Sequence, residues 1–178
     1  HVTPYVVRSL YLFKELEANI PKSNLDAGVK YIEDMVDYRA DLYQNDPDFA
    51  AEIFWTLSKA KSKHADIIKK KIDEKKLSRH GYLAYAYGLH SLSGYTLGVD
   101  KKLETMMKTE KNTYWYWSDG ADDAIYAQLL IDRGEFDRAT KILDARIRSV
   151  DLASYYVSTQ EKIQLLYALL KHTVASGP

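Results

Sequence analysis

The chain has 178 residues and 46% of them are hydrophobic, enough for a sizeable core and too many for a disordered chain. Its 25 basic residues balance 25 acidic ones, and this zero net charge disfavours a nucleic-acid partner, whose phosphates attract basic proteins. The absence of cysteine excludes disulfides and thiolate chemistry, and no apolar run approaches the ~18 residues that span a membrane.

Proline and short polar residues set the ends of the first three predicted helices. Pro4 opens the first helix at a position that needs no amide donor, and Pro21 ends it. Ser23 is predicted to cap the second helix, and Asp46 followed by Pro47 to begin the third. Apolar residues recur along the three segments at helical spacing, at positions 6, 7, 10, 13 and 16, then 25, 29, 32, 36 and 43, then 49, 53, 54 and 57.

The middle of the chain predicts three further helices. One begins at Ser62 and continues through Ile72, and its apolar edge is narrow. The next covers residues 78–93, and its Tyr and Leu residues surround most of the helix, so we expect it deep in the core. A short helix follows, with Asp100 as its predicted cap.

Residues 109–118 are the one segment predicted to be non-helical. Its four consecutive aromatic residues favour extended structure and show no helical period, which indicates a loop or a small hairpin. Packing over the ends of neighbouring helices is the interpretation we favour for these rings, and a contact surface for a partner is the alternative. The four residues are Tyr114, Trp115, Tyr116 and Trp117.

Three helices are predicted in the last third of the chain. The first covers residues 119–133 and stops at Gly134, and the second covers 135–148. The third begins at Ser158, where Glu161 completes a capping box. Three tyrosines at matching places in buried helices, 39 and then 41 residues apart, indicate a repeated helix pair, the usual unit of helical solenoids and toroids: Tyr87, Tyr126 and Tyr167.

Candidate chemical groups are sparse in this sequence. The acids at positions 119, 122 and 123 lack the spacing of a metal-binding or protonating aspartate motif, and we assign them to the positive end of a helix dipole. The five histidines show no metal spacing and are predicted to be isolated. The lysine-rich segment 59–76 also carries acids, which indicates a solvated face. The sequence therefore predicts no enzyme, no metal and no cofactor.

Three strings in order resemble the thioester-type domain of bacterial alpha-macroglobulins. They are His-Val-Thr-Pro-Tyr-Val-Val at residues 1–7, the helix pair at 122–147, and Tyr-Val-Ser-Thr-Gln-Glu at 156–161. The resemblance implies an alpha/alpha-toroid related to terpenoid cyclases, a ring built from antiparallel helix pairs. This chain would form an arc of such a ring. It also implies that the parent protein traps proteases and lies in the cell envelope, in the periplasm, or is secreted. Its partners would be other domains of the parent chain and target proteases, with no membrane contact by this part.

The chain departs from that family in one respect. The family couples proteases through a thioester between Cys and Gln, and a chain without cysteine cannot form it. No functional residue of the family is therefore carried over. We expect residues 1–178 to be one helical domain, part of a larger thioester-type domain. Two alternatives stay open: a helical-repeat module for protein interaction, and a toroid-fold cyclase or lyase.

Overall fold

The computed structural model describes residues 2–16, 18–39, 45–110, 118–149 and 157–177, and within these ranges every regular element is a helix. The prediction of an all-α protein is confirmed. The helices are α1 (Val2–Glu15), α2 (Lys22–Tyr38), α3 (Pro47–Lys59), α4 (His64–Lys69), α5 (Arg79–Ser91), α6 (Leu97–Thr109), α7 (Asp119–Asp132), α8 (Phe136–Ser149) and α9 (Thr159–Ser176).

Contacts divide the chain into two compact units, His1–Lys108 and Thr109–Pro178. In the first unit α3 packs against α5. Helices α1 and α4 also pack on α3. Helix α2 contacts α1, α3 and α4. In the second unit α7 packs against both α8 and α9. Gly134, with a φ of 76° that suits glycine, joins α7 to α8. The sequence predicted this turn correctly.

Burial differs sharply from helix to helix. Every residue from 48 to 58 of α3 and from 79 to 89 of α5 is buried. Helix α7 is buried almost as completely, but α2 buries only Leu25, Ile32 and Val36. Helix α5 is rich in Gly, Ala and Tyr, whose small members allow close approach on one side while the rings fill space on another. The predicted deep burial of the helix at 78–93 is therefore confirmed.

In the described part of each unit, an acid of one helix bonds to the capping serine of its neighbour. Asp48 of α3 accepts hydrogen bonds from the Ser78 amide at 2.9 Å and the Ser78 hydroxyl at 2.5 Å. In the second unit Glu161 of α9 accepts from the Ser118 hydroxyl at 2.5 Å. We call these two contacts the serine–acid clamps. Each clamp joins residues near two helix N-termini. Further along the same helices Gly88 faces Phe54 and Gln128 bonds to Gln164, so α3 and α5 run in the same direction, as do α7 and α9.

A serine caps the beginning of three helices, and two of these serines belong to the clamps. Ser78, Ser118 and Ser158 are the N-caps of α5, α7 and α9, and each hydroxyl accepts from the amide three residues later. They stand at intervals of 40 residues, which agrees with the repeat that the tyrosines indicated. The second bond of the predicted capping box is replaced, because the Glu161 carboxylate is engaged by Ser118 of the neighbouring helix.

The predicted boundaries of four helices are wrong. Helix α1 begins at Val2 and ends at Glu15, so Pro4 lies inside its first turn and Pro21 lies beyond its end. Ser23 lies inside the first turn of α2, whose N-cap position is Pro21 and has no side-chain bond. Asp100 lies inside the first turn of α6, where it is buried and accepts from the Tyr95 hydroxyl at 3.2 Å. The helix that begins near Ser62 ends at Lys69 rather than after Ile72. Residues 111–117 of the predicted non-helical segment lie outside the described residues.

The close packing of α3 on α5 predicts the effect of adding one methyl group. A Cβ at Gly88 would lie 2.5 Å from Cε1 of Phe54, whose ring is fully buried and cannot move aside. We expect Gly88→Ala to lower the free energy of unfolding by about 1–3 kcal/mol, measured by urea denaturation. Gly98→Ala is the matched control, because its nearest atom lies 3.7 Å away on an exposed helix surface. An equal loss in both variants would contradict this account of the packing.

Candidate functional site

The most unusual group of side chains in the first unit is a polar cluster inside the apolar core. Arg8 of α1, Glu52 of α3 and His80 of α5 have exposed fractions of 1%, 5% and 1%. Charged residues are almost never buried this fully unless they are paired. Each of the three helices presents an otherwise apolar face here, so the three side chains meet in the core. We call this group the buried triad.

Glu52 is the centre of the buried triad. Its Oε2 accepts from Nη1 of Arg8, and its Oε1 lies 2.6 Å from Nε2 of His80. Burial alone would raise the pKa of the Glu52 carboxyl. The Arg8 charge and the His80 hydrogen bond outweigh that effect and lower the pKa to about 2. Glu52 is therefore a carboxylate at every physiological pH, and both of its oxygens are engaged.

Aromatic rings enclose the cationic side of the triad. The Arg8 guanidinium carbon lies 3.7 Å from the ring centroid of Trp55, within the range of a strong cation–π contact. The Trp55 ring stacks on Tyr87 with centroids 4.3 Å apart and planes inclined by 19°. Trp55 and Tyr87 are each 1% exposed. These rings shield the ion pair from bulk solvent, which strengthens its electrostatic attraction.

The triad is built for holding helices together rather than for transferring protons. A general base needs a lone pair that can reach a substrate, and both Glu52 oxygens are already bonded inside a core without solvent access. No group of three or more histidine or acidic residues suited to a metal ion occurs in the described part of the chain. The arrangement joins α1, α3 and α5 through one carboxylate.

The residues predicted as a contact surface cannot be placed. Tyr114, Trp115, Tyr116 and Trp117 all lie outside the described residues, so that prediction stays open. The neighbouring acids lie where the dipole interpretation put them, because Asp119 and Asp122 stand in the first turn of α7. Asp123 accepts from Nε of Arg146 at 2.7 Å, which joins α7 to α8.

The prediction of isolated histidines is wrong for His80, which is a buried member of the triad. His64 lies within 3.5 Å of Glu33 and of Asp37, and His172 within 2.8 Å of the Thr140 hydroxyl. The sequence carried one usable signal for the triad. Arg8 and Glu52 are single charges within apolar stretches, which is the pattern of a buried pair.

The lysine-rich segment agrees with the prediction of a solvated face. Six of its eight lysines are exposed, at positions 61, 63, 70, 71, 75 and 76. The other two, Lys59 and Lys69, are partly buried, and Lys59 pairs with Glu15 of α1 at 2.7 Å. The basic charge of this segment is therefore dispersed in solvent, in agreement with its interleaved acids.

Comparisons of the chain with protein-family models, with curated proteins and with solved structures give no match. Within the described ranges, no helix combines the length and the apolar character needed to cross a membrane.

The lowered pKa of Glu52 predicts a specific loss of stability in acid. A pKa of about 2 in the folded state against 4.5 for an unperturbed carboxyl means that the contribution of Glu52 is complete above pH 4.5. It is lost as the pH falls towards 2, and amounts to roughly 3 kcal/mol. We expect Glu52→Gln to lower the free energy of unfolding at neutral pH by about 3–5 kcal/mol, because Arg8 keeps a buried charge without its partner.

The pH dependence separates this effect from a general packing defect. Urea denaturation between pH 7 and 2.5 should show the wild-type and Glu52→Gln curves converging below pH 4.5. Glu104→Gln is the control, since its pair with Lys108 is exposed at 2.7 Å and should contribute less than about 1 kcal/mol. A constant difference between wild type and Glu52→Gln across this range would show that Glu52 is not ionised and paired in the folded chain.

Proposed function

We propose that the chain is a helical part of a thioester-type domain from an alpha-macroglobulin-like protein, and that it contributes to protease trapping without catalysing a reaction. The observation that carries this proposal is the place of the resembling strings in the fold. The Ser-Thr-Gln-Glu string begins α9 with Ser158 as its cap. The string at 122–147 supplies most of α7 and α8 and the Gly134 turn between them.

The burial pattern supports the same proposal. An alpha/alpha-toroid needs inner helices that are covered on several sides and outer helices that are covered on one. Helices α3, α5 and α7 have the burial of inner helices, while α2 and α8 have the amphipathic burial of outer ones. The two parallel pairs, α3 with α5 and α7 with α9, have the direction that successive inner helices of such a fold share.

The chemistry of the chain favours a role through contacts. It lacks the cysteine of a thioester, and its buried carboxylate and imidazole are already bonded to each other. Within the proposal, the helices support other domains of the parent protein while a protease is held. Target proteases are then partners of the whole protein, and its place is the cell envelope, the periplasm or the extracellular medium.

A size-dependent protease assay tests this proposal. The polypeptide that carries this chain, expressed from its own gene, is incubated with proteases of differing specificity. A trapped protease is enclosed, so its activity on a large protein substrate should fall at least tenfold while its activity on a small peptide ester changes less than twofold. A parallel incubation with an unrelated helical protein controls for competition by a second substrate. Equal activity on both substrates would contradict protease trapping.

A second candidate is a helical-repeat module that binds another protein directly. It is favoured by a line of exposed apolar side chains along α9 at the spacing i, i+3, i+7 and i+11, which we call the α9 stripe. A stripe with this spacing is the pattern of a helix face that packs against a partner. Its members and their exposed fractions are Ile163 36%, Leu166 58%, Leu170 44% and Val174 69%.

Sedimentation velocity tests this second candidate. If the α9 stripe binds protein surfaces, the wild-type chain should associate with itself as its concentration rises, because equivalent stripes can cover one another. Replacing Leu166 and Leu170 by Gln should give a monomer at every concentration. Val6→Gln, which changes an apolar residue of α1 that is 45% exposed, is the matched control and should behave as wild type. A monomeric wild-type chain at high concentration would remove the support for this candidate.

A further inference from the structure

Two buried nitrogen donors, one in the triad and one next to it, have no hydrogen-bond acceptor among the described residues. Arg8 uses Nη1 to bind Glu52, and its other terminal nitrogen, Nη2, has no acceptor among the described residues. Nε1 of Trp55 also has no hydrogen-bond acceptor among the described residues. Both side chains are 1% exposed, so neither group can turn to bulk solvent.

The two groups belong to side chains that are stacked on each other. The Arg8 guanidinium carbon lies 3.7 Å from the centroid of the Trp55 ring, so Nη2 and Nε1 lie in the same small part of the core. Both are donors only, because neither a guanidinium nor an indole nitrogen accepts a hydrogen bond. Buried donors in folded proteins nearly always have a partner, and when the protein supplies none, an internal water or ion commonly does.

We propose that Arg8 Nη2 and Trp55 Nε1 form a binding site for one small hydrogen-bond acceptor, a water molecule or a monatomic anion. The ligand must be a hydrogen-bond acceptor, because both protein groups are donors. The size is fixed by burial, because Arg8, Trp55 and the stacked Tyr87 are each 1% exposed and leave no path for a larger ligand. This inference rests on the first unit alone and is independent of the proposed protease-trap function.

A water molecule and a halide ion differ in charge, and this difference allows an experiment to distinguish them. Glu52 already offsets the charge of Arg8, so a neutral water adds no charge to the core. A halide ion would instead be attracted by the guanidinium and held by the same two donors. Either occupant satisfies the site, and the two differ in their response to halide concentration.

Nuclear magnetic resonance of the wild-type chain tests the proposal at the Trp55 indole proton. Its resonance is identified as the indole signal that Trp55→Phe removes, or by sequential assignment if that variant does not fold. Tyr87→Phe is the control, because it keeps both donors. Cross-relaxation with water is measured in both the laboratory and the rotating frame, which separates direct transfer from exchange with hydroxyl protons. The resonance is then followed while chloride replaces sulfate at constant ionic strength.

Each outcome decides the proposal. Direct cross-relaxation between water and the Trp55 indole proton, unchanged by chloride, supports an internal water. A saturable shift of the same resonance with chloride supports an anion, and a bromide-soaked crystal should then show an anomalous peak within hydrogen-bond distance of Arg8 Nη2 and Trp55 Nε1. An indole proton with neither water transfer nor a halide response would show that the two donors are dry, and would overturn the site.

Discussion

The stability of the first unit depends on one desolvated carboxylate. Glu52 lies in a core helix whose neighbours are apolar, and it is tolerated there only because Arg8 and His80 supply donors from two other helices. Removing water from a charge is expensive, so the arrangement is favourable only while all three helices hold their places. A shift of α1 along α3 would leave a buried charge without its partner. The triad thus fixes the register of the helices more than it adds to their attraction.

The serine–acid clamps impose the same kind of constraint at the helix ends. A capping serine ordinarily satisfies amides of its own helix, but Ser78 and Ser118 also donate to an acid of a parallel neighbour. Directional bonds at one end and a close glycine contact further along α5 leave little freedom to slide. Helices rich in Ala and Tyr could otherwise pack in several registers of similar energy. Polar contacts therefore select one arrangement among those that the apolar surfaces allow.

Much of the fold could be predicted from local signals. The Asp46–Pro47 start, the Gly134 turn and the Ser158 cap are encoded within a few residues, so the sequence revealed them directly. Interactions between distant residues were harder to foresee. Glu161 looked like half of a capping box, and only the packing of α7 on α9 brings Ser118 to it. The triad joins residues 44 and 28 positions apart. Single charges in apolar stretches indicate that Arg8 and Glu52 are buried, but nothing in the sequence shows that both meet His80.

Glycine at two helix beginnings has an evolutionary consequence. A Cβ at Gly81 would collide with the Asp48 carboxylate, and one at Gly120 with that of Glu161, so each acid occupies the space of the missing side chain. The two members of each pair cannot change independently without losing the clamp. Homologous sequences should show them varying together: a larger residue at position 81 accompanied by a shorter or neutral one at 48, and the same linkage between positions 120 and 161. Such covariation would show that the clamps are retained in homologues whose overall sequence has diverged.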